Sequence, residues 1–248
     1  MAEARTVRAP AEEREVRLRE LAVTFRILAR RGLDEGAGGH VTARDPEYPD
    51  RFWINPFGQP FGTVCVRDLL LVDQAGNVVK GNGRVNPAGY AIHSQLHAGR
   101  PDVIAAVHTH STYGRAWSSL GRPLDPITQD ACAFFGDHAV HRDFPGVVLE
   151  AAEAKRIAAT LSGMKAVILQ NHGLLTVGRS VGEAAWWFVL MDKCCQIQLL
   201  AESAGRPIPV PVETAQEVAG VMGVPSMGRL NFRSLYAEIV ADSPDLLR

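Results

Sequence analysis

The sequence predicts one α/β domain, and three observations carry that prediction. Segments with helical spacing alternate along the whole chain with short apolar runs of strand type. At 248 residues, 46% of them hydrophobic, the chain is long enough to bury a sizeable core. No repeat, low-complexity block or convincing linker divides it. We expect residues 1–10 to be disordered and residues 11–248 to form the domain, with 206–248 as a C-terminal extension.

Residues 11–31 are charged, with Val16, Leu18, Leu21, Ala22, Phe25, Ile27 and Leu28 at roughly helical spacing, so an amphipathic helix is expected. Gly36-Ala37-Gly38-Gly39 reads as a tight turn into a strand at Val41–Arg44. Phe52-Trp53-Ile54 is a second strand. Leu69–Asp73 and Val78–Lys80 flank Ala75-Gly76-Asn77 as a hairpin. Pro87 starts a helix that stops before Pro101. The run Val103–Val107 leads as a strand into His108, and Ser111–Leu120 looks helical. Ala152–Leu161 is a helix, Ala166–Leu169 a strand and Leu174–Val177 another. Val181–Ala204 is a long helix stopped by Gly205-Arg206-Pro207. The tail is Pro-rich, then weakly helical.

Charge is balanced, with 26 basic and 27 acidic residues, so no basic field argues for nucleic acid or an anionic membrane. The longest apolar runs, such as Ala184–Met191, are too short to span a bilayer. The N-terminus lacks a signal-peptide core. Cys65, Cys132, Cys194 and Cys195 show no metal or disulfide spacing, so a reduced, cytoplasmic setting with buried thiols is expected.

The chemistry-bearing residues are histidines. His108 and His110 stand at i and i+2 on a strand and therefore share one face, where two imidazoles can ligate one metal ion. A third from His172 in the Asn171-His172-Gly173 turn would leave a coordination position open. The same spacing also suits two strand histidines bonded to backbone, and His172 alone suits a polar loop. His93 and His97 share a helix face, but Ser94 replaces the Glu of a zincin helix, so a surface or supporting pair is expected. His40 follows a Gly-rich turn that could face an anion. His138 and His141 are unassigned. The glycines at 36, 38 and 39 precede no helix, so a dinucleotide fingerprint fails its context. Trp186-Trp187-Phe188 suits a core or a subunit interface better than a ligand platform.

These pieces fall in order. Gly38-Gly39-His40-Val41-Thr42-Ala43-Arg44 is followed by Ile54-Asn55-Pro56-Phe57-Gly58, then by Asn86-Pro87-Ala88-Gly89-Tyr90 with His93. Arg100-Pro101-Asp102-Val103 runs into His108-Thr109-His110, and Gln170-Asn171-His172-Gly173-Leu174 closes the string. Over roughly residues 15–205 the chain resembles the class II aldolase/adducin family. The resemblance implies a three-layer α/β/α sandwich around a mixed, mostly antiparallel sheet. It also implies a homotetramer with active sites at subunit interfaces, and metal ligands at His108, His110 and His172. The ion it implies is divalent, Zn2+ first, with Fe2+, Mn2+ and Co2+ as alternatives.

The departures from the family pattern point to changed chemistry. In the sugar-phosphate aldolases of the family a Glu serves as ligand and acid/base at the place held here by Gly89. Their phosphate-binding groups correspond to His40, Phe57-Gly58 and Pro87-Ala88. A phosphorylated sugar is therefore not the expected substrate. Phe57, Phe61, Tyr90 and Trp117 could line an apolar pocket, or pack in the core. The expectation is a metal-dependent carbon–carbon lyase, a decarboxylase or retro-aldolase, acting on a non-phosphorylated oxo or hydroxy acid, aromatic acids included. His40, Phe57, Gly58 and Gly89 would bind substrate, and His93, Tyr90 or His40 would move the proton. A non-haem Fe(II) oxygenase that oxidatively decarboxylates an aromatic acid is the second reading. The third is a non-catalytic adducin-like binding module, against which the retention of all three histidines argues.

Overall fold

Proline opens the first helix of the described residues. In a computed structural model, which describes residues 8–247, α1 spans Pro10–Arg30. A proline there lacks only an N–H that would go unpaired, and Glu12 and Glu13 complement the positive end of the helix. Residues 1–7 of the segment expected to be disordered lie outside the described residues, and Pro10 is already helical.

Eight strands follow: β1 His40–Arg44, β2 Phe52–Ile54, β3 Leu70–Val72, β4 Val78–Lys80, β5 Ala105–Thr109, β6 His138–His141, β7 Ala166–Leu169 and β8 Gly173–Gly178. They form one sheet in the order β4-β3-β2-β1-β5-β8-β7-β6. All pairs are antiparallel except β6 with β7, so the sheet is mixed and mostly antiparallel as expected. The predicted hairpin is present: the Asp73 carboxylate accepts the Ala75 and Asn77 N–H groups inside the β3–β4 turn.

The other helices are α2 Pro87–Gly99, α3 Thr112–Ser118, α4 Gln129–Cys132, α5 Ala151–Leu161, α6 Val181–Ala204, α7 Val212–Met222 and α8 Pro225–Asp242. Each sheet face carries its own core because successive strand residues point to opposite sides. Val41, Ala43, Val107, Ile168 and Leu174 pack with Leu21, Phe25 and Leu28 of α1, Trp187 and Phe188 of α6, and Phe232 of α8. Ala106, Val167, Leu175 and Val177 pack on the other face with Ile92 and Leu96 of α2 and Ile157 and Leu161 of α5. The result is a three-layer α/β/α sandwich.

Three elements depart from expectation. β6 and α4 are not evident in the sequence. The tail is better ordered than "weakly helical" implies, since Phe232, Leu235 and Ile239 of α8 belong to the main core. All four cysteines are free and buried. Trp187 and Phe188 lie in the core. Among the described residues no helix is long and apolar enough to cross a membrane.

Candidate metal centre

Strand register gathers the site at one end of the sheet. His40 opens β1 and stands directly across from His108 of β5, whose other neighbour is Leu175 of β8. Gly39 makes this approach possible: its φ is +114°, and a Cβ there would stand 3.1 Å from the His108 carbonyl oxygen. His110 lies just beyond the end of β5. His172 occupies the turn between β7 and β8, where Asn171 takes φ +58°, a left-handed conformation that Asn tolerates.

The three imidazoles converge. One ligand nitrogen from each of His108, His110 and His172 lies within 4.8 Å of the others. His110 Nε2 and His172 Nε2 are 3.2 Å apart. Two nitrogens bound at 2.0–2.1 Å to one tetrahedral ion would be about 3.3 Å apart, so this pair already has metal-binding separation. His108 Nδ1–H donates to the Leu174 carbonyl at 2.8 Å, which leaves Nε2 bare for the ion. Among the described residues this group contains no carboxylate.

Burial keeps the rings neutral. His108 is held well below its ordinary pKa by burial and by the neighbouring imidazoles of His172, His40 and His110. Burial, with His110 beside it, takes His172 down to about 4. His110 is lowered by burial and by Arg115, whose guanidinium is paired with Glu35. Neutral imidazoles are what a divalent cation requires.

A second histidine group backs the first. His40 Nδ1 is 2.7 Å from His93 Nε2, and the His40 ring lies 5.0 Å from that of His108. Thr42 Oγ1 is 2.5 Å from His93 Nδ1 and 2.9 Å from His97 Nε2. His93 and His97 are therefore not a surface pair; α2 buries both against β1. Burial depresses His40 and His93 strongly, and takes His97 to about 3 with Arg44 adding to the effect. Gly89 lies against this group, for a Cβ there would stand 2.5 Å from His40 Cδ2.

Other candidate residues fall elsewhere. The Tyr90 hydroxyl donates to the Gln74 carbonyl in the β3–β4 turn, and its ring stacks on Phe52, on the side of His97. Phe61 packs edge-on against Phe25, and Trp117 is fully buried in the main core, so neither lines a pocket. Phe57 is 41% exposed, and with Gly58 it follows β2 at the His40 end of the sheet. His138 bonds to the Phe134 carbonyl and the Leu124 N–H, and His141 to Glu153 and Thr160, so both are engaged at the β6 edge. Sequence reading gave Thr42 no role although it lies inside the Gly38–Arg44 motif, and it missed the Glu35–Arg115 pair, which no motif marks.

Residues 19–199 match the Class II Aldolase and Adducin N-terminal domain. The chain belongs to the class II aldolase and adducin family. It is 46% identical over 227 residues to Decarboxylase NovR of Streptomyces niveus, covering 91% of this chain and 84% of that one. It is 45% identical over 227 residues to 4-hydroxy-3-prenylphenylpyruvate oxygenase/4-hydroxy-3-prenylbenzoate synthase of Streptomyces roseochromogenus subsp. oscitans, covering 91% and 82%. Among solved structures, L-fuculose 1-phosphate aldolase from Glaciozyma antarctica PI12 superposes with a TM-score of 0.92 at 41% identity, covering 99% and 97%. In this class II aldolase domain the strand pair and the Asn-His-Gly turn supply the three converging imidazoles.

Proposed function

We propose that this protein is a metal-dependent carbon–carbon lyase that decarboxylates, or cleaves by retro-aldol reaction, a non-phosphorylated and preferably aromatic oxo or hydroxy acid. The observation that carries this reading is the all-imidazole group His108, His110 and His172 beside a Gly89 whose side-chain space is filled by His40. No side chain at position 89 can reach the centre while His40 stands there, so the acid/base group that the family resemblance places at this position is replaced. The names of the two Streptomyces relatives support decarboxylation and an aromatic oxo acid.

His108, His110 and His172 would hold the ion, Zn2+ first, with Fe2+, Mn2+ or Co2+ as alternatives. When bound, it supplies Lewis acidity that stabilises negative charge on substrate oxygens. The chain's own residues do the rest. His40, positioned by His93, is the proton-handling group nearest the centre. Phe57 offers an exposed aromatic face at the same end of the sheet. The active unit is expected to be a homotetramer with sites at subunit contacts, which light scattering of the purified protein tests.

Two other readings have specific support. The oxygenase name of the second Streptomyces relative favours Fe(II)-dependent oxidative decarboxylation. The Glaciozyma structure favours aldol cleavage of a sugar phosphate. The deciding experiment incubates Zn2+- or Fe2+-loaded protein with phenylpyruvate, aromatic hydroxy acids and L-fuculose 1-phosphate, with and without oxygen. Oxygen-independent carbon dioxide or aldehyde release from an acid is expected. Rapid cleavage of L-fuculose 1-phosphate alone would overturn the substrate assignment, and turnover only with Fe2+ and oxygen would favour the oxygenase.

A further inference from the structure

A cavity remote from the histidines is lined by charge. It encloses about 550 Å³ where α1, the β8–α6 corner and α8 meet. Arg8 reaches it from just before α1, Arg17 from α1, Arg179 from the residue after β8, and Arg229 and Arg233 from α8. Among the described residues its carboxylates are Glu13 and Glu20. The whole chain balances 26 basic against 27 acidic residues, so five guanidinium groups against two carboxylates is a local concentration of charge. Ile104, in the cavity wall, comes four residues before His108. A strand rises about 3.3 Å per residue, which puts this wall roughly 13 Å from His108, at the opposite end of β5.

The two carboxylates do not neutralise the cavity. Glu13 is shared by Arg8 at 3.2 Å and Arg17 at 2.9 Å, and buried Arg17 is further fixed by donating to the Arg44 carbonyl at 2.6 Å. Glu20 accepts the Gly182 N–H at 3.3 Å in the first turn of α6, so that helix end already has its anion. Burial holds Glu20 up to about 7, which leaves it only partly ionised near neutral pH. Arg179 and Arg229 make no side-chain hydrogen bond or ion pair among the described residues. Glu183 feels both charges, but it is buried and its oxygens accept the Arg179 backbone N–H at 2.9 Å and the Trp187 indole N–H at 3.3 Å. Guanidinium groups gathered without enough counter-charge repel one another, and an anion between them relieves that repulsion.

We infer that this cavity binds a phosphate group, free or carried on a small metabolite, between the guanidinium groups of Arg179 and Arg229. The inference is independent of the lyase reading, because the cavity and the histidine centre share no residue. Phosphate is favoured over a carboxylate by the number of its acceptors. One guanidinium pairs with two oxygens in a fork, so a carboxylate saturates one arginine, whereas a phosphate has oxygens for two arginines arriving from different elements. Arg229 is carried by the same helix as Phe232, whose ring packs on Gly182 next to the β8–α6 corner, so the docking of α8 sets the two guanidinium groups on one cavity. An occupant would therefore tie α8 to the start of α6.

The test is calorimetric titration of the full-length protein in chloride buffer at about pH 8, where Glu20 is mostly ionised. The probes are inorganic phosphate, glucose 6-phosphate and benzoate. One phosphate site per chain is expected, with affinity lowered at least about tenfold in Arg179→Gln and in Arg229→Gln. Glu20→Gln keeps an oxygen for the Gly182 N–H but removes a negative charge, so it should tighten binding at least about twofold. Far-ultraviolet spectra and urea midpoints without phosphate establish that each variant is folded, and if an arginine variant does not fold, Glu20→Gln still decides.

Tighter binding of glucose 6-phosphate than of inorganic phosphate assigns a phosphorylated metabolite to the site, and equal binding assigns free phosphate. Four results would each overturn the inference: no binding of either probe up to about 10 mM, wild-type affinity in both folded arginine variants, no tightening in Glu20→Gln, or benzoate binding as tightly as phosphate. His172→Ala separates the cavity from the histidine centre. It should bind phosphate like wild type, and loss of binding there would move the anion to that centre and overturn the assignment.

Discussion

Gly89 and His40 occupy one space: a Cβ added to Gly89 would stand 2.5 Å from Cδ2 and 2.9 Å from Cγ of the buried His40 ring. Alanine is ordinarily the better helix former, by about 1 kcal/mol over glycine. Here the ring cannot yield, being held by His93 on one side and packed beside His108 on the other. Gly89→Ala should therefore destabilise the protein by about 1–3 kcal/mol, as overpacking does. His40→Ala opens the space, so Gly89→Ala in that background should cost at least about 1 kcal/mol less than in wild type. Urea denaturation of the four proteins checks this, and additive effects would show that the two residues are not coupled.

The ligand assignment predicts a second result. His108→Ala and His172→Ala each leave two imidazoles, and divalent ions of the zinc class are held by three or four protein ligands. Both variants should lose bound zinc after dialysis against trace metal while their far-ultraviolet spectra stay native. His141→Ala serves as the control, because His141 is bonded to Glu153 and Thr160 at the β6 edge. Its metal content should match wild type. Full zinc stoichiometry in His108→Ala would remove that residue from the ligand set.

The sequence marks His108, His110 and His172 but not the hydrogen-bonded groups behind them, and the reason is physical. His108 and His110 announce themselves because period two is a local property of a strand. Thr42, His93 and His97 meet only because α2 packs across β1, a contact between residues more than fifty apart that no spacing encodes. The same limit explains Phe61 and Trp117. Aromatic composition does not say which way a short turn or a two-turn helix faces, and both rings face the core. β6 escapes because four residues, His138–His141, are too short for a periodicity and rely on β7 for pairing. α6 was legible to the residue because Ser180 caps it and Gly205 ends it.

Asp45 sets an acid limit on stability. Its carboxylate is buried, which alone would raise its pKa. Arg14, the Tyr48 and Glu47 N–H groups and the Trp53 indole outweigh that burial and bring it down to about 2. A pKa lower in the folded than in the unfolded chain means that the carboxylate stabilises the fold above about pH 4. That contribution is lost as pH falls towards 2. Asp45→Asn should cost about 1–2 kcal/mol at pH 7, and the difference from wild type should shrink steadily below pH 4. Denaturant titrations at pH 7, 4 and 3 measure it. A cost that does not change with pH would assign the loss to packing instead of charge.

The C-terminal helix α8 contributes to stability although it lies far from the chemistry. Phe232 is 3% exposed and lies edge-on to Tyr236, and it packs against Gly182 at the start of α6, where even a Cβ would run into its ring. Truncating a buried phenylalanine to alanine typically costs 3–5 kcal/mol, the lost transfer energy plus the cavity left behind. Phe232→Ala should fall at the lower end, about 3 kcal/mol, because α8 lies on the outside of the sandwich and can settle partly into the gap. His108, His110 and His172 stand at the end of β5 and in the β7–β8 turn, whereas Phe232 lies with Ile104 and Gly182 at the opposite end of β5. Folded Phe232→Ala should thus bind zinc with wild-type stoichiometry while its urea midpoint drops. A loss below about 1 kcal/mol would show that α8 is docked but contributes little, and lost zinc binding in the folded variant would tie the tail to the centre.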